Sequence, residues 1–465
     1  MTKIKFGTDG WRAIIAQDYT VDNVKRVSEG TALWLKNKNA KQVVVGHDCR
    51  FAGELFAETT ARVLGKHGLK VILAKGYVST PMVSLGVAKT NSDLGVVITA
   101  SHNPPSYNGY KLKSNLGGPM IPSEVTEVED LVPDTVPEGL PSLEEMEKNG
   151  LLKYVNLEDM YIDHVEANFD MDAIRNSNIG VGYDAMYGAG QRAMRRLLPN
   201  ITALHCDDNP GFKGQAPEPI HRNLTELSEL MANNANLKVG IANDGDADRI
   251  GMYDASGNFV DSHHILLLLL LYMYKYKKQS GKVVFTFSVT DKMKKMAEQF
   301  GLPYEITKIG FKYIAEIMAN EDVIVGGEES GGLAVKGHIP ERDGIWIGIM
   351  VLEFMAKTGK TLEELIQEVY DEVGTFSFDR DDLHILESQK QAVIQNCVAN
   401  KYSAFGKYKV ESTENIDGFK FNLGNESWVM IRPSGTEPVL RVYAQAPDAK
   451  AVRDILDATQ ETLFT

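Results

Sequence analysis

The stretch DLGVVITASHNPP, residues 93–105, decides how this chain is read. A short β-rich apolar run ends at Thr99. A polar loop follows at once: Thr99-Ala100-Ser101-His102-Asn103-Pro104-Pro105, with Asn108-Gly109-Tyr110-Lys111 just after. Folds that alternate strands and helices present their ligand sites at the carboxyl ends of strands. Working outward, QVVVGHD (42–48) is another strand ending in a polar loop, residues 54–67 have helical spacing, and KVILAKG (70–76) is the next strand. The alternation predicts an α/β architecture.

The same arrangement recurs along the chain. Residues 133–150 are proline-rich and acidic, and read as a surface connection near a domain boundary. Beyond them come NIGVGYDAMYGAG (178–190), a helix from about Gln191, and KVGIANDGDADR (238–249), again a strand feeding a polar loop. A third unit opens near Gly257 with the Leu-rich ILLLLLLYMY (265–274) and continues through KVVFTFSV (282–289) and DVIVGGEESGG (322–332). From about Phe376 the rhythm changes to strands near 419–423, 428–432 and 440–444 and a terminal helix from Asp448. The predicted organisation is three α/β domains with mixed sheets, at 1–150, 151–256 and 257–375, and a smaller α+β domain at 376–465.

A chain of 465 residues is too long for one core, which agrees with several domains. Its net charge of -14 argues against nucleic acid or an anionic membrane as a partner. An anionic small substrate stays open, because 49 Lys and Arg residues are enough to line a basic cleft. Cys49, Cys206 and Cys397 form no CxxC pair, so neither a zinc site nor a disulfide framework is expected. The opening MTKIKFGTDG lacks the apolar core of a signal peptide, and the Leu-rich run is too short to span a bilayer. The expectation is a soluble, cytoplasmic protein.

Four loops carry candidate chemistry. In the first, Ser101 at the end of a buried strand can be a fixed nucleophile or phosphate carrier, with Lys111 near enough in sequence to act as proton donor, acceptor or charge clamp. Taken alone it reads first as a turn, since Ser, Asn, Pro and Gly cluster in turns. In the second, Asp244, Asp246 and Asp248 alternate across a glycine-containing turn, so all three can converge on one hard cation such as Mg²⁺. The alternative is a solvated acidic turn, disfavoured by the repulsion of three like charges after an apolar strand. The third, GGEESGG (326–332), sets carboxylates and a serine among glycines, which suits close approach to a polyol; it reads equally as a flexible acidic loop. The fourth, RPSGTEP (432–438), offers an arginine fork, hydroxyls and backbone N–H groups for an anion, or a plain hairpin turn. Together they describe phosphoryl transfer on a sugar phosphate.

TASHNP, DGDADR, GEESGG and RPSGTEP, in that order, resemble the α-D-phosphohexomutase superfamily, and FGTDGWR (6–12) is similar to its N-terminal motif. The resemblance implies four domains around a central cleft, the last one mobile. It implies a phosphoserine at Ser101 and Mg²⁺ held by Asp244, Asp246 and Asp248 together with that phosphate. Glu328 and Ser330 would read sugar hydroxyls, Arg342 would contact phosphate, and Arg432, Ser434, Gly435 and Thr436 would hold the non-reacting phosphate. Arg12, Lys111 and Arg249 match positions near the transferring group, and Lys111 first, then His338, would move the proton. The implied reaction passes from a hexose 1-phosphate through a hexose 1,6-bisphosphate, also the activator, and back to Ser101, in a monomer or homodimer. GEESGG and HIPERDGIW (338–346) lean toward glucose as the sugar, with Gly332 in place of the histidine that ends the loop in glucosamine and dual glucose/mannose enzymes. A mannose or dual enzyme, a non-catalytic sugar-phosphate binder and a phosphatase are the alternatives.

Overall fold

The computed structural model describes residues 3–7, 9–433 and 439–464. The chain forms two compact units, Met1–Lys282 with Gly310–Ile366, and Val283–Ile309 with Gln367–Thr465.

The first unit holds two mixed sheets. In the larger, β1 (Trp11–Ile14), β2 (Gln42–His47), β3 (Lys70–Ala74), β4 (Leu94–Ile98), β5 (Tyr107–Ser114) and β6 (Leu152–Val155) lie in the order β1-β5-β4-β2-β3-β6. The pairs β4/β2, β2/β3 and β3/β6 are parallel, whereas β1/β5 and β5/β4 are antiparallel. Every residue of β4 is buried, as its unbroken apolar run requires of a strand covered on both faces. The connection at 133–150 contains a short helix, Leu143–Lys148, closed by a capping box between Ser142 and Glu145. β6 lies beyond the boundary expected at 150, yet it completes this first sheet.

The second sheet runs β11-β10-β9-β7-β8, from β7 (Gly180–Asp184), β8 (Thr202–Leu204), β9 (Leu237–Asn243), β10 (Ile250–Tyr253) and β11 (Phe259–Val260). β9 and β7 are parallel, so β9 delivers the 244–249 loop from its carboxyl end. The Leu-rich run forms the buried helix Ser262–Leu271, capped by the Asp261 side chain. Val323–Gly327 pairs antiparallel with Leu333–Val335, and the turn between them is the GEESGG loop.

In the second unit, Val283–Thr286 pair parallel with Tyr304–Thr307. An antiparallel five-stranded sheet is built from Ser377–His384, Val439–Ala446, Ser427–Pro433, Phe419–Gly424 and Ser412–Glu414, in that spatial order. Helices Glu387–Val398 and Ala449–Phe464 supply Val393, Val452, Ile455 and Leu456 to its core. This is the smaller α+β domain. Among the described residues no helix is long and apolar enough to cross a membrane.

Candidate active site

Ser101 follows β4 in the left-handed region, at φ +52°. For a residue with a side chain this costs about 1–3 kcal/mol, so the surroundings must hold it there. They do. The Ser101 N–H donates to Thr99 Oγ1 (2.9 Å), and Thr99 in turn donates to Asp48 Oδ2 (2.5 Å). The Ser101 hydroxyl donates to Asp244 Oδ2 at 2.7 Å. Gly245 passes beneath, where an added Cβ would stand 2.5 Å from the Ser101 carbonyl oxygen. Only glycine lets the two loops approach this closely.

Asp244, Asp246 and Asp248 are buried, and one carboxylate oxygen of each lies within 4.8 Å of the others. Burial, then the charges of Asp246 and Asp248, push the Asp244 carboxyl well above its ordinary range. Asp246 goes the other way: against burial, Lys111 and the Thr80 hydroxyl hold it low. Lys111 Nζ reaches Asp246 Oδ2 (2.8 Å), Asp248 Oδ2 (3.1 Å) and Asp9 Oδ2 (2.9 Å). Burial opposes its charge, but the three carboxylates outweigh it and raise the Lys111 pKa. Asp246 Oδ1 and Asp248 Oδ1 are buried without a hydrogen-bond partner. Buried carboxylate oxygens left open beside a repelled third carboxyl are the donor set of a hard divalent cation, so these residues fit Mg²⁺.

Arg342 belongs to the same cluster. Its Nη2 contacts Asp9 Oδ2 (2.5 Å) and Asp248 Oδ2 (2.7 Å), and its guanidinium lies over the Phe311 ring. Glu328 is buried, 3.9 Å from Arg342 Nη1. Burial, partly offset by Arg342, brings its carboxyl up to about 7. The half-buried Ser330 sits in the same turn, which leans on β10 through the Ile250 N–H donating to Gly331 O at 3.2 Å. Arg12 donates to Asn103 Oδ1 (2.5 Å), and the Arg249 N–H to Asp244 Oδ1 (3.0 Å).

His338, the second candidate for moving the proton, is taken up by packing: its ring stacks on Trp346 at 3.9 Å, with Nε2 2.9 Å from Asp343 and Nδ1 3.3 Å from His164. That network holds the start of helix Gly344–Thr358, which Asp343 caps. In the second unit both oxygens of Asp417 accept from Arg432 at 3.3 Å, and Arg432 lies directly opposite Arg441 in the sheet. Ser434, Gly435 and Thr436 fall outside the described residues.

Several residues of the cluster escaped the sequence reading. Asp9 joins Lys111 and Arg342, with Arg12 at 3.8 Å and Lys113 at 3.9 Å. Burial would raise its pKa, but Lys111, Arg342, Lys113 and Arg12 hold it well below the usual carboxylate range. Its presence inside FGTDGWR was the available signal. Thr80 donates to Asp246 Oδ2 (2.5 Å) at the start of helix Thr80–Thr90, and Arg50 grips the Ser101 loop by its carbonyls.

Four family models match the chain in order: the phosphoglucomutase/phosphomannomutase alpha/beta/alpha domains I (3–136), II (159–257) and III (261–373), and the C-terminal domain (390–462). The phosphoglucosamine mutase of Methanococcus aeolicus is 31% identical over 435 residues, 90% of each chain. The chain belongs to the phosphoglucomutase/phosphomannomutase family. Within that family, the phosphoglucomutase/phosphomannomutase of Thermococcus kodakarensis is 29% identical, covering 97% of this chain and 96% of its own. A crystal structure of a putative phosphomannomutase from Thermus thermophilus superposes with a TM-score of 0.88 at 31% identity, over the whole of both chains. This member of the phosphohexomutases is therefore an enzyme, an isomerase that moves a phosphoryl group on a hexose.

Proposed function

We propose that the chain interconverts glucose 1-phosphate and glucose 6-phosphate through a phosphoserine at Ser101 and a glucose 1,6-bisphosphate intermediate. The observation that carries this reading is the 2.7 Å hydrogen bond from the Ser101 hydroxyl to Asp244, within a buried group of three aspartates. In each half-reaction one P–O bond forms as another breaks, between Ser101 Oγ and a sugar oxygen, and the proton passes the opposite way. Asp244 accepts from the free hydroxyl and fixes the direction of Oγ. Mg²⁺ on the three aspartates would neutralise the charge of the transferring group. Arg12, Lys111 and Arg249 add positive charge around it, and Lys111 remains the first candidate for the proton. Glu328 and Ser330 are assigned to the sugar hydroxyls, and Arg342 to phosphate. Arg432, together with Ser434, Gly435 and Thr436, is assigned to the distal phosphate, exchanging Asp417 for it.

The choice of glucose rests on the GEESGG loop and on Gly332. A glucosamine substrate is the second reading, favoured by relatives named phosphoglucosamine mutase at about 30% identity. The test supplies Mg²⁺ and a trace of hexose 1,6-bisphosphate. Conversion of glucose, mannose and glucosamine 1-phosphates is then compared in wild type and Ser101→Ala. Glucose 1-phosphate should turn over fastest and the variant should be inactive. Equal or faster turnover of another sugar removes the glucose assignment. An active Ser101→Ala removes the phosphoserine, and release of free phosphate indicates a phosphatase.

A further inference from the structure

Arg50 follows β2 in GHDCRF (46–51), a stretch with no assigned role, and its side chain is buried. Four backbone carbonyls converge on its guanidinium. Nη2 donates to Ser101 O (2.7 Å) and Asn103 O (2.6 Å), and Nη1 donates to Pro104 O (2.9 Å) and Tyr107 O (3.0 Å). All four belong to the segment that carries Ser101 from β4 to β5. A planar fork with fixed donor directions can hold four acceptors at once; an ammonium on a flexible stem cannot.

The arginine is itself held. Asp48 Oδ2 lies 3.4 Å from Nε, Asp48 Oδ1 accepts the Arg50 N–H (2.9 Å), and the guanidinium packs 4.9 Å from the Phe212 ring centre. Asp48 also takes the Thr99 hydroxyl, and Thr99 accepts the Ser101 N–H. Ser101 is thus gripped by its N–H through Asp48 and Thr99, and by its carbonyl through Arg50. Only the hydroxyl is left to point at Asp244. Peptide carbonyls carry partial negative charge, and gathering four of them is unfavourable without a cation among them.

We propose that Arg50 is a positioning residue for Ser101: its carbonyl clamp holds the serine in the left-handed conformation that directs Oγ to the transferring phosphorus. The inference rests on the reading of Ser101 as the phosphoryl carrier. The Arg50 side chain is buried and both Nη atoms are spent on backbone carbonyls, so its loss should act on the chemical step and not on hexose phosphate binding. Displacing a reacting atom by about 1 Å costs on the order of 100-fold in rate.

The test measures single-turnover transfer of labelled phosphate from glucose 1,6-bisphosphate, in which the Oγ–P bond forms as the sugar P–O bond breaks and the Oγ proton ends on the sugar oxygen. Arg50→Lys and Arg50→Ala are compared with wild type, with calorimetric affinity for glucose 1-phosphate measured alongside. Both variants should label about 100-fold more slowly, with affinity within a few-fold of wild type. Millimolar guanidinium should restore much of the rate in Arg50→Ala. If Arg50→Ala does not fold, Arg50→Lys, which keeps the charge, decides. Wild-type labelling rates in Arg50→Lys, or slow labelling matched by an equal loss of affinity, overturn the proposal. Peptide mapping of the wild type separates the two layers: label absent from Ser101 defeats the phosphoserine reading and this inference with it, whereas label on Ser101 at an unchanged rate in the variants defeats the Arg50 role alone.

Discussion

Gly332 and Arg342 compete for one volume: a Cβ on Gly332 would stand 2.4 Å from Arg342 Cδ and 3.4 Å from Glu328 Oε2. Arg342 cannot easily yield, because its guanidinium is tied to Asp9 and Asp248. The glycine that ends the GEESGG loop is therefore coupled to an arginine ten residues away. Gly332→Ala should lose about 1–3 kcal/mol of stability from overpacking, with a raised KM for hexose phosphate. Gly332→His should do worse than Gly332→Ala. Urea denaturation and steady-state kinetics on the two variants check this.

Asp9 is the shared counter-ion of Lys111 and Arg342, with Arg12 and Lys113 close by. Neutralising it removes one carboxylate from two buried cations that keep Asp246 and Asp248 as partners. Asp9→Asn should cost about 1.5–3 kcal/mol of folding stability, and kcat/KM should fall with it. Chemical denaturation at fixed Mg²⁺ gives the first figure. A loss below about 1 kcal/mol, the range of exposed ion pairs, would assign Asp9 a minor part.

Mg²⁺ should raise the melting temperature independently of any substrate. A ligand that binds only the folded state stabilises by about 2.7 kcal/mol at a hundredfold excess over its Kd. Calorimetric scans with and without Mg²⁺, after treatment with EDTA, read this directly. Asp244→Asn with Asp248→Asn should abolish the shift. A shift that persists in the double variant places the cation elsewhere.

His205 supplies a pH dependence of its own. Its Nδ1 lies 2.9 Å from Asp184 and its Nε2 3.4 Å from Glu226. The hydrogen bond to Asp184, working against burial, raises the imidazole above its ordinary pKa. The stabilisation is thus fully present below the unfolded-state value of about 6.5 and is lost as pH rises through the higher folded-state value. Melting curves of wild type and His205→Gln should differ most below about pH 6.5 and converge as pH rises through the folded-state value. A gap that widens with pH contradicts this assignment.

Much of this was legible in the sequence for a physical reason. β4 is an unbroken apolar run, β9 is apolar from Val239 to Ala242, and both end in polar loops, so strand and loop announce themselves in one dimension. Asp244, Asp246 and Asp248 alternate within five residues, and their repulsion is visible without a structure. Arg50 was not legible, because its partners are backbone carbonyls, which every residue has. Asp9 lay in plain sight within FGTDGWR, but its importance comes from cations at positions 111 and 342. His338 is the reverse case. A histidine in a motif suggests chemistry, and the stack on Trp346 and the contact with Asp343, which decide how its ring is held, are not written in the sequence.

The hydrogen bond between Ser101 and Asp244 joins residues 143 positions apart, one from each sheet of the first unit. Contacts of such sequence separation form late, after the local elements that present them. A partly folded chain owns the serine and the aspartates but has not joined them. Acquiring phosphate on Ser101 would therefore report that both sheets are complete. In a mixture of nascent, damaged and native molecules, the label would mark the native ones.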